Sequence, residues 1–215
     1  MFYQPEHFKT PESALVREVI RAQPLATILS IRDGELDVSH APLLVSERGD
    51  GIVLLGHVAR ANAHWQHWRA TGETSGVRAR VTAIFHGPNA YVSPSWYVDP
   101  QSVPTWNYVV VHAHGTVAIT HDSADKEKIL KALIDAHDPP YRAHWSEVLS
   151  EEFRERQKAA IVGFEIAVDR IEAKFKLSQN RPAADRERVA TALAAGKGND
   201  RAVAEWMQRV AQPAP

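Results

Sequence analysis

Apolar and polar positions change their spacing several times along this chain, and each change marks an element. Leu15, Val16, Val19 and Ile20 fall on one stripe at helical spacing. Thr10 supplies the N-cap of that helix, Pro11 suits its first position, Glu12 favours the positive end of its dipole, and Gln23 before Pro24 ends it. The pattern then turns to strands. Leu25–Ile31 meets Glu35–Val45 across Asp33-Gly34, a two-residue hairpin signal. A polar turn, Glu47–Gly51, leads into Ile52–Val58. Val77–His86 alternates, with Val77, Ala79, Val81, Ala83 and Phe85 on one face and Arg78, Arg80 and Thr82 on the other. Trp106–Ile119 alternates too, and its polar side carries His112, His114 and Thr116. Ile161–Val168 and Ile171–Leu177 read as a hairpin around Asp169-Arg170.

Helices punctuate these strands. Ala61–Arg69 is short and follows a strand directly. Asp122 or Ser123 caps a helix that turns Ile129, Leu130, Leu133 and Ile134 inward and stops at Pro139-Pro140. Glu151–Ala160 forms another. Pro182 opens a helix running to Ala195, and Gly196-Lys197-Gly198 separates it from a last helix, Arg201–Val210. Six or seven strands with interspersed helices predict a mainly β, α+β architecture: a closed or nearly closed antiparallel barrel with peripheral helices. Residues 1–195 are expected to form the main domain, with 196–215 as a C-terminal helix and short tail.

Composition narrows the function. The 215 residues hold 25 Lys+Arg against 26 Asp+Glu, a net charge of -1, which gives DNA binding little support as a driving interaction. Cysteine is absent, so disulfides, thiolate zinc sites and cysteine nucleophiles are excluded. No apolar run approaches the ~20 residues of a membrane span, and the start lacks a signal peptide's basic and apolar regions, so a cytoplasmic protein is expected. Glycine-rich nucleotide loops, H-E-x-x-H and G-x-S-x-G are missing. Ser123–Lys126 matches S-x-x-K and reads as helix capping.

Four segments carry candidate chemistry. In Leu55–Asn62 a strand gives way to a short helix beside Arg60, a place where backbone amides and a guanidinium suit a phosphate, or where an arginine caps a neighbouring helix. His64 and His67 share a helical face with Trp65 and Trp68 nearby, a spacing that fits packing histidines better than a metal site. Phe85–Tyr97 reads as an aromatic, Gly/Pro-punctuated loop, and with Trp106, Asn107 and Tyr108 it supplies planes and amides suited to a flat heteroaromatic ligand or to core filling. Lys174, Lys176 and Ser178 lie on one strand face, where two ammonium groups about 7 Å apart are either solvated or share an anion.

Together, MFYQPEHF at the start, HAPLL at 40–44, GHVARAN at 56–62, FHGPNAYVSPSWY at 85–97, VPTWNY at 103–108, VGFEI at 162–166 and KFKLSQNR at 174–181 resemble the PaiB family, from Met1 to about Leu193. These FMN-binding negative transcriptional regulators belong to the pyridoxamine-phosphate-oxidase-like split barrels. The resemblance implies a six-stranded FMN-binding split β-barrel and a homodimer with FMN at the subunit interface. It places His40, Pro42, His57, Ala59, Arg60 and Asn62 beside the flavin, with Arg60 on the phosphate. It adds Lys174, Lys176, Gln179 and Arg181 from near the interface, and Ser95, Trp96 and Trp106 around the ring. Superfamily sequences carry a second basic residue after the phosphate arginine; here that position is Ala61, and Lys174 or Lys176 takes its part.

Two functions follow: an FMN-binding regulator, or an FMN-dependent oxidoreductase in which the cofactor does the chemistry on a small molecule. A histidine-rich metal or haem protein on the same barrel is a third. His57, His112 and His114 titrate in a useful range, but nothing in the sequence selects a catalytic base. The best local basic patch for DNA is Arg181–Arg188, which two acids dilute.

Overall fold

The computed structural model describes residues 2–9, 13–49, 51–70 and 79–211. The expected cap at Thr10, Pro11 and Glu12 lies outside the described residues, as do Asp50, Val77, Arg78 and the tail from Gln212. After a 3-10 turn at Glu6–Phe8, helix α1 spans Ser13–Ala22 and buries Val16, Val19 and Ile20. Strands β1 (Leu25–Arg32) and β2 (Glu35–Pro42) pair in full register from Leu25 opposite Pro42 to Arg32 opposite Glu35. Their turn places Asp33 at φ 53° and Gly34 at φ 86°, the positive angles that a two-residue hairpin needs.

The long second strand expected over Glu35–Val45 is two strands. Leu43 leaves the ladder, buries its side chain and donates its N–H to Pro24 O at 2.8 Å. Leu44 then opens β3 (Leu44–Arg48), which pairs with β4 (Gly51–Ala59). An apolar run such as Leu43-Leu44-Val45 looks alike whether or not the chain switches partner inside it, so hydropathy could not place the break.

Three long strands follow: β5 (Arg80–Val92), β6 (Thr105–Thr120) and β7 (Ile161–Lys176). The expected hairpin at Asp169-Arg170 is absent because β7 runs through it. Neither residue takes the positive φ of a tight hairpin, and Asp169 instead pairs with Arg80. The expected loop at Phe85–Tyr97 is strand as far as Val92. Gly87 makes that possible, since a Cβ there would sit 2.8 Å from Val109 Cβ. Only Ser93–Tyr97 remains a turn, with Ser93 capping the 3-10 segment Pro94–Trp96.

Among the described residues, seven strands form one antiparallel open sheet in the order β2-β1-β5-β6-β7-β4-β3, within the six or seven that the hydropathy pattern predicts and one more than the resemblance implies. The architecture is mainly β with peripheral helices, as expected. Those helices are α2 (His64–Ala70), α3 (Ser123–His137), α4 (Tyr141–Ala143) continuing into a π-helical turn at His144–Val148, α5 (Glu151–Ala159), α6 (Ala183–Ala194) and α7 (Asn199–Ala211). Asp122 caps α3 by accepting from Asp125 N, and Ser150 caps α5 by accepting from Phe153 N.

The chain divides into two compact units. One comprises Ile20–Phe85 and His112–Ile171; Ile28, Leu54, Phe164 and Ile166 are fully buried in it. The other comprises Met1–Val19, His86–Val111 and Glu172–Pro215. In it α7 packs by Trp206 against Phe175, ring centroids 5.4 Å apart, and Arg209 pairs with Glu18.

Candidate functional site

In the first unit, β4 ends in a turn that sets Arg60. Gly56 is required there: a Cβ would lie 2.6 Å from Leu43 Cδ2 and 2.9 Å from Phe164 Cζ. Arg60 N–H donates to Ala160 O at 2.8 Å, and its Nε donates to Ala159 O at 2.6 Å. Arg60 therefore closes the last turn of α5, where a cation is favoured by the helix dipole. The side chain is exposed, and its two terminal nitrogens make no hydrogen bond among the described residues.

The helix after it contributes less than the sequence suggested. α2 begins at His64 rather than Ala61, and its leading amides are taken: His64 N–H donates to Asn62 Oδ1 at 3.0 Å and Gln66 N–H to Ala63 O at 3.0 Å. The cations around Arg60 come from elsewhere. Lys126, on α3, is buried and donates to Lys158 O at 2.7 Å, on the same carbonyl edge of α5. Burial, and then the charge of Arg60, hold its pKa below the ordinary lysine value, and it makes no ion pair among the described residues. Lys158 differs. Burial is the largest single influence and pulls its pKa down, but its contacts with Glu155 (2.6 Å) and Glu127 (3.2 Å) together outweigh that and raise it. Sequence reading missed Lys126 as a partner of Arg60; its position in S-x-x-K pointed only to capping. Ser123 in that motif donates to Glu155 Oε2 at 2.8 Å.

His57 pairs across the sheet with Gly163, whose missing Cβ would touch Ile129 and Lys126. Its Nδ1 is buried without a hydrogen-bond partner, and burial lowers its pKa, so it is a neutral ring with one unused ring nitrogen. Asn62 Nδ2 donates to Ser39 Oγ at 2.9 Å. His40 Nδ1 and Thr27 Oγ1 are 3.1 Å apart, Pro42 closes β2, and Ala59 is exposed at the end of β4 opposite Ile161. His64 is buried between Ser30 and Ser39, 2.8 Å from each, while His67 Nδ1 meets Asp37 at 2.5 Å, so both histidines pack as structural groups. His112 and His114 lie along β6 with ring centroids 6.3 Å apart, and His114 Nδ1 is 2.9 Å from Thr82 Oγ1.

In the second unit, Lys174, Lys176 and Trp106 come together in a groove of about 600 Å³. Lys174 is buried and donates to Tyr3 O at 3.1 Å. Lys176 donates to Thr105 Oγ1 at 2.6 Å and to Trp106 O. Other expected contacts are engaged locally. Gln179 accepts from Leu177 N–H at 2.7 Å and donates to Phe175 O at 2.5 Å. Arg181 stacks over the Tyr97 ring at 4.2 Å, and Arg188 donates to Tyr97 O at 3.3 Å, so the basic patch considered for DNA is partly spent on this turn. Ser95 contacts Ser93 (2.8 Å between hydroxyls), and Trp96 is half-buried. Lys126 apart, the sequence missed the ring set around Lys174, because Tyr3 and Phe8 are remote from it in the chain.

Comparison with known proteins places the chain in a family and identifies its fold. A family model described as "Putative FMN-binding domain" matches residues 2–170. The chain is 32% identical over 186 residues to "Protease synthase and sporulation protein PAI 2" of Bacillus subtilis, covering 85% of this chain and 84% of that protein. Among solved structures it is similar to the FAD and heme binding protein from Mycobacterium smegmatis (TM-score 0.58, 19% identity, 88% of this chain and 80% of that one). The flavocytochrome Anf3 from Azotobacter vinelandii is similar as well (TM-score 0.56, 15% identity, 78% and 69% covered).

Proposed function

The chain belongs to the PaiB family of FMN-binding proteins and its cofactor is FMN; from that premise we propose that it is a homodimeric regulatory flavoprotein in which Arg60 and Lys126 grip the FMN phosphate. The single observation that carries the phosphate assignment is their convergence. Both donate to the carbonyl edge of α5, Arg60 keeps two terminal nitrogens unused, and neither makes an ion pair among the described residues, although Glu155 and Asp122 draw on Lys126 from further off. Two such cations repel each other until an anion lies between them. The donor set fits a phosphate, and the unused His57 Nδ1 fits a hydrogen-bonding group of the ligand. In place of Lys174 or Lys176, which the resemblance offered, Lys126 is given the part of the second basic residue that Ala61 vacates, because it shares the carbonyl edge of α5 with Arg60. FMN, when bound, supplies one- and two-electron redox chemistry. The chain's own residues position the phosphate and keep His57 neutral.

The dimer reading rests on the hairpin. Leu25, Leu29, Ile31, Leu36, Val38 and Pro42 share one face of β1 and β2, since Ile31 lies opposite Leu36 and Leu29 opposite Val38. Ile31 is 74% exposed and Leu36 60%. An exposed apolar face beside an edge strand is a surface for another chain. The regulatory reading is supported by the likeness to the protein named "Protease synthase and sporulation protein PAI 2".

An FMN titration followed by absorbance tests the site. Wild type is expected to turn yellow, and Arg60→Ala to bind at least tenfold more weakly, a loss of roughly 1.4 kcal/mol; equal affinity would reject the assignment. Light scattering should show Ile31→Asp/Leu36→Asp at half the wild-type mass. Steady turnover of a nicotinamide donor by the loaded protein would move the reading to an oxidoreductase.

A further inference from the structure

The groove around Lys174 and Lys176 holds chemistry that a phosphate grip at Arg60 leaves unused. Three rings surround the Lys174 ammonium: Tyr3 at 5.0 Å to the centroid, Tyr108 at 5.5 Å and Phe8 at 6.0 Å. Their faces take up its charge in place of an anion. Lys176 stands differently. It lies 5.9 Å over Phe8 and spends two of its three protons on Thr105 Oγ1 and the Trp106 carbonyl. One N–H is left over. Neither lysine makes an ion pair among the described residues, and no described residue lining the groove carries a carboxylate. Burial, with the charges of Lys174 and Arg181 nearby, depresses the Lys176 pKa, as expected for a cation short of a counter-charge. At the mouth stands Trp106, 53% exposed and steadied edge-on by Tyr91 at 6.0 Å.

We propose that this groove is a binding site for a planar aromatic carboxylate, whose charge meets Lys176 and whose ring lies against Trp106. The observations select each part of that ligand. A single charge is matched because the rings already compensate Lys174, leaving one cation to neutralise. A flat ring is matched because the wall is aromatic and the half-exposed indole offers a surface for stacking. The volume, about 600 Å³, is that of an ordinary small-molecule site. The inference rests on the reading that Arg60 and Lys126 hold the FMN phosphate, and it assigns Lys174, Lys176 and Trp106, which the resemblance sets beside the flavin, to a second ligand instead.

Calorimetric titration of the full-length, FMN-saturated protein with naphthoate tests it. Naphthoate is expected to bind saturably, and the neutral isostere naphthamide at least tenfold more weakly. Lys176→Met should cause a similar loss, and Trp106→Ala, which removes a half-exposed side chain, a loss of about fivefold. Arg60→Ala should leave naphthoate affinity unchanged while FMN affinity falls. No binding, equal binding of naphthoate and naphthamide, or loss of naphthoate together with FMN in Arg60→Ala would overturn the proposal. The comparison of the two ligands needs no variant to fold.

Discussion

The Arg60–Lys126 corner and the Lys174–Lys176 groove each hold two cations that make no ion pair among the described residues, but they hold them by different means. In the corner, both side chains lean on helix carbonyls: Ala159 O and Ala160 O receive Arg60, and Lys158 O receives Lys126. In the groove, aromatic faces carry one lysine, while a hydroxyl and a carbonyl carry the other. Carbonyl dipoles orient a cation and leave its outward protons available, which suits a small, highly charged group such as a phosphate. Rings spread the compensation over an apolar wall, which suits a ligand that brings its own ring. The comparison teaches that an unpaired cation alone does not name a ligand; the groups that tolerate it do.

The largest test of this contrast removes the corner altogether. Arg60→Ala/Lys126→Met should lower FMN affinity by about a hundredfold, two losses of roughly 1.4 kcal/mol each, with naphthoate binding in the groove unchanged by calorimetry. Next comes pH on the alkaline side. The Lys176 pKa is depressed by burial and by Lys174 and Arg181, so its charge is lost as pH rises through a value below that of a free lysine. Naphthoate affinity should therefore fall about tenfold at a lower pH than a free lysine would dictate, and Lys176→Arg should remove that decline.

The acid side separates the regions in the opposite direction. Burial lowers the pKa values of His57 and His64, both in the unit that holds the corner. A base with a depressed folded pKa binds fewer protons folded than unfolded, so stability falls as pH drops from about 6.5 toward the folded values. Thermal unfolding should show that loss, and His64→Gln should flatten it. The smallest effect is Trp106→Tyr, which keeps a ring at the groove mouth and should weaken naphthoate by no more than threefold.

Much of the fold was legible in the sequence where the cause is local. Asp33-Gly34 announces its hairpin because few residues accept two positive φ angles in succession. The cap at Asp122 and the alternation along β6 are equally local. Where a segment's fate depends on what lies across the sheet, the sequence was silent. Leu43 leaves its strand because Pro24 O accepts its N–H, and Phe85–Val92 stays in a strand because Gly87 fits against Val109. The site divides in the same way. Arg60 stood out beside a strand end, and one of its two readings, a cap on a neighbouring helix, describes its Nε. Lys126 did not stand out, because only the packing of α3 beside α5 brings it to the same carbonyl edge. The ring set around Lys174 draws on Tyr3, Phe8 and Tyr108, which no spacing rule connects.

The central claim is that Arg60 reads the phosphate of the flavin, and the most direct test compares FMN with riboflavin, which lacks that group, on wild type and Arg60→Ala by fluorescence titration. Wild type should prefer FMN strongly, and the variant should lose at least tenfold of that preference while its riboflavin affinity stays the same. An unchanged ratio of the two affinities, or an equal loss for both flavins, would contradict the account.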